Sequence, residues 1–216
     1  MILKGLSIGY KHSAPVVSAI DAELSIGTFC CLLGRNGSGK STLLRTIARL
    51  QPPLSGQVIC PEHVGIVLTQ VPELQHTTVR QMIAFGRLGT TDWLGRLRQE
   101  DYDAADEAIR TVGIQPLADR LLGTLSDGEK QKTMIARAIA QASPLLLLDE
   151  PSAFLDYPSR HELMQVLQRL AHQQGKTILL STHDVELALT HADHLWLLKE
   201  GHLQQFAPQD FSADML

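Results

Sequence analysis

This sequence predicts an α/β fold with a largely parallel sheet, on three observations. Phe29–Leu33, Leu145–Leu148 and Thr177–Ser181 are short apolar runs, the pattern of strands buried on both faces. Segments with helical spacing alternate with them. Residues able to do chemistry follow each run at once: the glycine-rich stretch from Gly34, the pair Asp149-Glu150, and Thr182-His183. In open sheets of this kind, ligands bind outside the carboxyl ends of the strands.

Taken in order, Met1 to Val17 reads as short strands with a turn at Lys11 to Pro15. Ile20 to Leu33 reads as a strand pair punctuated at Gly27-Thr28. Leu43, Leu44, Ile47 and Leu50 share one helical face, and Pro52-Pro53 is expected to end that helix. Val58–Cys60 and Val64–Leu68 read as strands joined by a tight Pro61-Glu62-His63 link, so that any peripheral β-subdomain is short. Residues 71–122 read as a mainly helical insertion. Within it Thr78–Gly86 and Asp101–Val112 are amphipathic, the second with Ala105, Ile109 and Val112 on one face and Gly113 as its stop. A helix after Ser126-Asp127-Gly128 carries Met134, Ile135, Ala138, Ile139 and Ala142. Pro158 opens another, with Leu163, Leu167 and Leu170 inward and Gly175 at its end. Leu195–Leu198, Glu200-Gly201 and Leu203–Phe206 form a terminal hairpin.

Composition narrows the function classes. A chain of 216 residues can bury a sizeable core, and its formal net charge of -4 supplies no global basic field for nucleic acid. The longest apolar run, Leu145–Leu148, is far too short to cross a bilayer, and no basic-then-apolar leader opens the sequence. A cytoplasmic protein without membrane insertion is expected, with any membrane role arising through a partner. Cys30, Cys31 and Cys60 read as reduced thiols. His191, Asp193 and His194 lack the further ligands of a metal cluster, so exposed loop residues are the preferred reading.

Gly34-Arg35-Asn36-Gly37-Ser38-Gly39-Lys40-Ser41, followed by Thr42, fits the full phosphate-loop pattern between an apolar strand and a helix. Its glycines let the backbone curl so that N–H groups meet phosphate oxygens, and the helix start adds its positive dipole end. Lys40 would supply a mobile point charge, and the Ser41 hydroxyl would ligate Mg²⁺. The chain is therefore expected to bind a nucleoside triphosphate. Asp149 is suited to hold Mg²⁺ through water, and Glu150 to polarise an attacking water as general base.

Tyr10, the phosphate loop, Gln70, Leu125-Ser126-Asp127-Gly128-Glu129, Asp149-Glu150, Asp156 and His183 together resemble the ABC-type ATPases over nearly the whole chain. The likeness is greatest to ATP-binding subunits of iron-chelate, haem and cobalamin importers. It implies a P-loop NTPase fold with a RecA-like parallel-sheet core, a small antiparallel β-subdomain and an inserted α-helical subdomain. It also implies ATP hydrolysis with Mg²⁺, at the cytoplasmic face of the cell membrane, coupled to separate transmembrane permease subunits. Tyr10 would stack on adenine, Gln70 would touch Mg²⁺ and the attacking water, and His183 would reach the γ-phosphate. Ser126 and Gly128 would face the nucleotide of a second copy in a head-to-tail pair, and Asp156 would also belong to the ATP-binding residues. The Gln70-Val71 hinge would help dock a helix of the transmembrane partner. A soluble ABC ATPase acting on a protein or nucleic-acid assembly, or a non-hydrolysing regulatory module, are the alternatives.

Two positions depart from the family pattern. Asp127 stands where glycine is usual, and is expected to act as an N-cap that tolerates left-handed backbone. Ala153-Phe154-Leu155-Asp156 stands where Ser-Ala-Leu-Asp is usual, which puts a bulky Phe154 at a dimer contact.

Overall fold

A computed structural model describes residues 1–68, 74, 76–90 and 96–216. The strands are β1 (Ile2–Ile8), β2 (Val17–Glu23), β3 (Phe29–Gly34), β4 (Ser55–Ile59), β5 (Val64–Val67), β6 (Leu145–Asp149), β7 (Thr177–Ser181), β8 (His194–Lys199) and β9 (His202–Phe206). The α-helices are α1 (Lys40–Ile47), α2 (Val79–Ala84), α3 (Gln99–Val112), α4 (Asp127–Ala140), α5 (Tyr157–Gln174) and α6 (Val185–His191). They fall into two compact units. The first comprises Met1–Ile66, Pro144–Glu150 and Leu167–Leu216, and the second Val67–Ser143 and Pro151–Val166.

The first unit is built on sheets. One has six strands in the order β5-β6-β7-β3-β8-β9, parallel between β6, β7, β3 and β8 and closed by the antiparallel β8–β9 hairpin. β3, β6 and β7 are buried at every residue, which is why their sequences are unbroken apolar runs rather than alternating ones. The register sets Asp149 opposite Ser181, and Leu32 beside Ser181 on the other flank of β7. The carboxyl ends of three neighbouring strands therefore converge. Trp196, Leu32, Leu43, Leu44, Leu147 and Leu179 belong to the core beneath them. In the hairpin, Glu200 and Gly201 both have positive φ, 51° and 76°, as a two-residue turn of matching twist demands.

A separate antiparallel sheet runs β2-β1-β4. The two strands expected around the Pro61–His63 link form, but in different sheets: β4 pairs with β1, whereas β5 joins the edge of the six-stranded sheet. The end of α1 differs from expectation. Arg49 is left-handed (φ 60°), its N–H reaches Thr46 O, and the Leu50 N–H reaches Arg45 O at 2.9 Å. That is a Schellman turn, so the helix stops before the prolines and Leu50 lies outside it, 60% exposed.

The second unit is helical. α2, α3 and α4 pack on one another, and their Met82, Ile83, Ala105, Ile109, Met134 and Ile135 are buried. Thr78 and Gln81 form a reciprocal cap on α2. Helix α4 ends at Ala140, and Ala142 turns left-handed beyond it (φ 55°) rather than continuing the apolar face. At the start of α3, Asp101 accepts from the Arg98 N–H at 2.8 Å and from Arg87 Nε at 3.2 Å. These bonds, the Arg98 N–H first, hold its carboxyl below the ordinary carboxylate value. Among the described residues no helix is long and apolar enough to cross a membrane.

Because Asp101 is buried and bonded to both partners, Asp101→Ala should destabilise the protein by about 2 kcal/mol near neutral pH. A group whose folded-state pKa is depressed contributes above its unfolded value and loses that contribution as pH falls through the folded one. The difference in denaturant midpoint between wild type and variant should therefore shrink below about pH 4. A difference that stays constant down to acid would show that the carboxylate charge is not what stabilises α3.

Candidate active site

The phosphate loop follows directly from β3. Gly34, Gly37 and Gly39 have φ of 147°, 81° and 102°, all in the region that favours glycine. Gly39 is also tightly confined, since a Cβ there would lie 2.8 Å from Val16 Cγ1. It caps α1 in left-handed conformation with no side-chain cap bond, and the first turn holds no acid. The first N–H groups of α1 thus lack both an intrahelical acceptor and a capping side chain, which leaves them for an anion. Ser38 Oγ in the same loop is buried without a hydrogen-bond partner. Arg35, Asn36 and Gly37 are exposed, and Thr42 is buried behind the loop.

Lys40 is not the mobile charge expected. It is only 7% exposed, and its Nζ donates to Gly34 O at 2.7 Å and to Arg35 O at 3.4 Å. Glu150 Oε1 stands 3.7 Å from the same ammonium.

The two acids occupy different environments. Asp149 ends β6 fully buried and accepts from Ser181 Oγ at 2.7 Å. Glu150 follows with φ 50°, a left-handed conformation that costs a non-glycine residue about 1–2 kcal/mol. Its backbone is fixed there by its N–H, which donates to Ser181 Oγ (3.0 Å) and Ser181 O (3.2 Å). The carboxylate is thereby aimed between Lys40 and His183, with Oε2 2.9 Å from His183 Nδ1. Ser181 joins the two acids and was missed by reading motifs; its signal was a polar residue closing an apolar strand. His183 is itself 61% exposed on its side chain and so can reach outward.

In the second unit, Ser126, Asp127, Gly128, Glu129 and Lys132 line a cleft of about 490 Å³ with Phe154, Leu155, Asp156 and Ser159. Ser126 is the N-cap of α4, accepting from the Glu129 N–H. Asp127 is not the cap: it is the first helical residue, exposed, and 3.5 Å from Lys130. No left-handed backbone is needed at its position. Gly128 approaches the next segment so closely that a Cβ would lie 3.0 Å from Phe154 O. Phe154 is half exposed beside it. Asp156 accepts from the Ser159 N–H at 3.1 Å, and Lys132 donates to Ser159 Oγ at 3.0 Å.

The remaining candidates are more scattered. Tyr10 follows β1 with its side chain exposed. Gln70 and Val71 lie outside the described residues. Cys30 and Cys31 are buried free thiols, and burial pushes both thiols up. Asp193 accepts from the Phe29 N–H and pairs with His172, while His191 is buried rather than exposed. Among the described residues no cluster of three or more His, Cys, Asp or Glu could hold a metal ion. A nucleotide-borne Mg²⁺ needs less: hard oxygen donors such as the Ser41 hydroxyl and the Asp149 carboxylate, with phosphate oxygens supplying others.

Comparison with known proteins shows the family. A family model described as ABC transporter matches residues 17–153. The achromobactin transport ATP-binding protein CbrD of Dickeya dadantii is 36% identical over 203 residues, covering 88% of this chain and 75% of that protein. The ferric enterobactin transport ATP-binding protein FepC of Escherichia coli is 34% identical over 219 residues, covering 95% and 80%. The solved structure of cbiO1 from Clostridium perfringens, part of the ABC transporter complex cbiONQ, superposes with a TM-score of 0.83 at 27% identity, over 97% of this chain and 88% of that one. The chain belongs to the ABC transporter family, as one of its ATP-binding subunits.

Proposed function

We propose that this chain hydrolyses MgATP to drive uptake of a metal chelate of the siderophore type through separate transmembrane subunits. The single observation that carries the hydrolytic part is Glu150, held at a strand end between Lys40 and His183 beside an uncapped helix start. The importer assignment and chelate class are supported by relatives named for petrobactin import and iron(3+)-hydroxamate import, beside those named for achromobactin and ferric enterobactin transport. The site then lies at the cytoplasmic face of the membrane, reached through the permease partners.

In this reading the loop N–H groups, Lys40 and the Ser38 hydroxyl bind the β- and γ-phosphates, and Tyr10 stacks on adenine. Arg35 and Asn36 flank the phosphates and Thr42 supports the loop. Ser41, Asp149 and Gln70 would hold Mg²⁺, which when bound offsets the charge of the phosphate oxygens. Glu150 orients a water and accepts its proton as the water attacks the γ-phosphorus; His183 contacts the γ-phosphate and steadies the Glu150 carboxylate. Ser126 and Gly128 of a second copy, with Asp156 nearby, close the site head-to-tail.

Glu150→Gln removes the proton acceptor while preserving shape. It should keep MgATP binding, lower hydrolysis by about 10²–10⁴-fold, and accumulate as an ATP-bound dimer on size exclusion. Hydrolysis within a few-fold of wild type would remove Glu150 from the proposed role. Ser181→Ala leaves Asp149 Oδ1 without that donor and Glu150 without its side-chain anchor. It should lower kcat on the order of tenfold while changing nucleotide affinity less. A loss confined to KM would argue that Ser181 supports binding and not the acid's aim.

A further inference from the structure

The start of α4 makes one hydrogen bond more than a helix cap requires. The cap itself consists of Ser126 Oγ accepting from the Glu129 N–H at 3.3 Å and Glu129 Oε2 accepting from the Ser126 N–H at 2.8 Å. In addition, Ser126 Oγ lies 3.0 Å from Glu129 Oε2 and donates to it. A serine hydroxyl has one proton, so here that proton is already committed. The other carboxylate oxygen, Oε1, stands 3.5 Å from Arg120 Nη1, and Arg120 is itself fixed by Nη2 donating to Thr124 O at 2.9 Å.

A phosphate oxygen approaching Ser126 would need the proton that Glu129 holds, and would meet the carboxylate's charge. Glu129 lines the same cleft, so it is not screened behind the helix. Asp127, the other acid of the first turn, is answered by Lys130 and makes no bond to the hydroxyl. The Ser126 N–H and hydroxyl hold the Glu129 carboxyl below its ordinary value.

We propose that Glu129 is a latch on the Ser126 half-site: it retains the hydroxyl proton in the free subunit and yields it only when a second copy presents a nucleotide's terminal phosphate. Arg120 tunes the latch by drawing the carboxylate away from the hydroxyl. Glu129 is thus a positioning residue acting through Ser126, and the inference rests on the reading of Ser126 as a phosphate contact.

Glu129→Gln tests it, because it removes the carboxylate charge and leaves the hydroxyl proton only a weaker, neutral acceptor, while the amide oxygen can still accept from the Ser126 N–H and preserve the cap. The full-length chain is assayed for steady-state ATPase and for ATP-driven dimerisation across MgATP concentrations. The apparent KM should fall about three- to tenfold, the scale of one competing charge-assisted hydrogen bond, with kcat within about twofold and little change in melting temperature. Arg120→Ala should raise KM, and that increase should vanish in the Glu129→Gln background. A merely structural Arg120 would show the same effect in both. Ser126→Ala separates the two ideas. If it impairs dimerisation and turnover while Glu129→Gln leaves KM unchanged or raised, the latch is wrong and the half-site reading stands. If Ser126→Ala behaves as wild type, the half-site reading fails and the latch with it.

Discussion

The parallel register of β6 against β7 is the constraint from which the hydrolytic arrangement follows. It sets Asp149 opposite Ser181, so that one hydroxyl donates to the buried acid and accepts from the backbone of the next. That second bond helps keep Glu150 in a left-handed conformation an unsupported glutamate would avoid. A shift of register by one residue would put Leu180 where Ser181 stands. Both acids would lose their shared partner, and Glu150 would relax away from Lys40 and His183.

The two helix starts solve opposite problems. At α1 the N-cap is a glycine without a side chain and the first turn has no acid, so the orphan N–H groups remain available to a ligand. At α4 the cap is Ser126 with a reciprocal glutamate, and Asp127 and Glu129 both lie in the first turn. Those acids stabilise the helix against its own dipole, by a few tenths to about 1 kcal/mol each at an exposed end. They also oppose any incoming anion. One helix start is left poor in internal partners and so is built to bind; the other is stable alone and must give something up.

Much of this was legible in the sequence because the signals were local. Phe29 through Thr42 encodes strand, turn and helix in one stretch, and the apolar Leu145–Leu148 run announces a buried strand ending on acids. What was not legible depended on pairing between distant segments. That β4 and β5 join different sheets cannot be read from Pro61–His63, because a short link fits a hairpin and a sheet crossing equally well. Ser181 gained its role only through register with Asp149, thirty-two positions away in the chain. The cap at Ser126 rather than Asp127 turned on which residue first adopts helical backbone, a matter of one position. Leu50 matched the helical spacing, but spacing does not reveal a Schellman turn made by an arginine.

The groups proposed to meet phosphate are largely engaged before any ligand arrives. Lys40 donates to two loop carbonyls and sits near Glu150, and the Ser126 hydroxyl donates to Glu129. Binding at these positions is then an exchange of partners, and each contact contributes only the difference between the new bond and the one released. For Lys40 the exchange is favourable, since carbonyl oxygens give way to charged phosphate oxygens. For Ser126 a carboxylate gives way to a phosphate, charge for charge, and the gain is small until Glu129 is drawn off. Ser38 Oγ differs from both: it makes no hydrogen bond to another protein group, so a phosphate oxygen bonded there displaces no protein partner. On this accounting the proposed contacts at the phosphate loop would contribute more to nucleotide affinity than a contact at the Ser126 cleft, where one charged partner only replaces another.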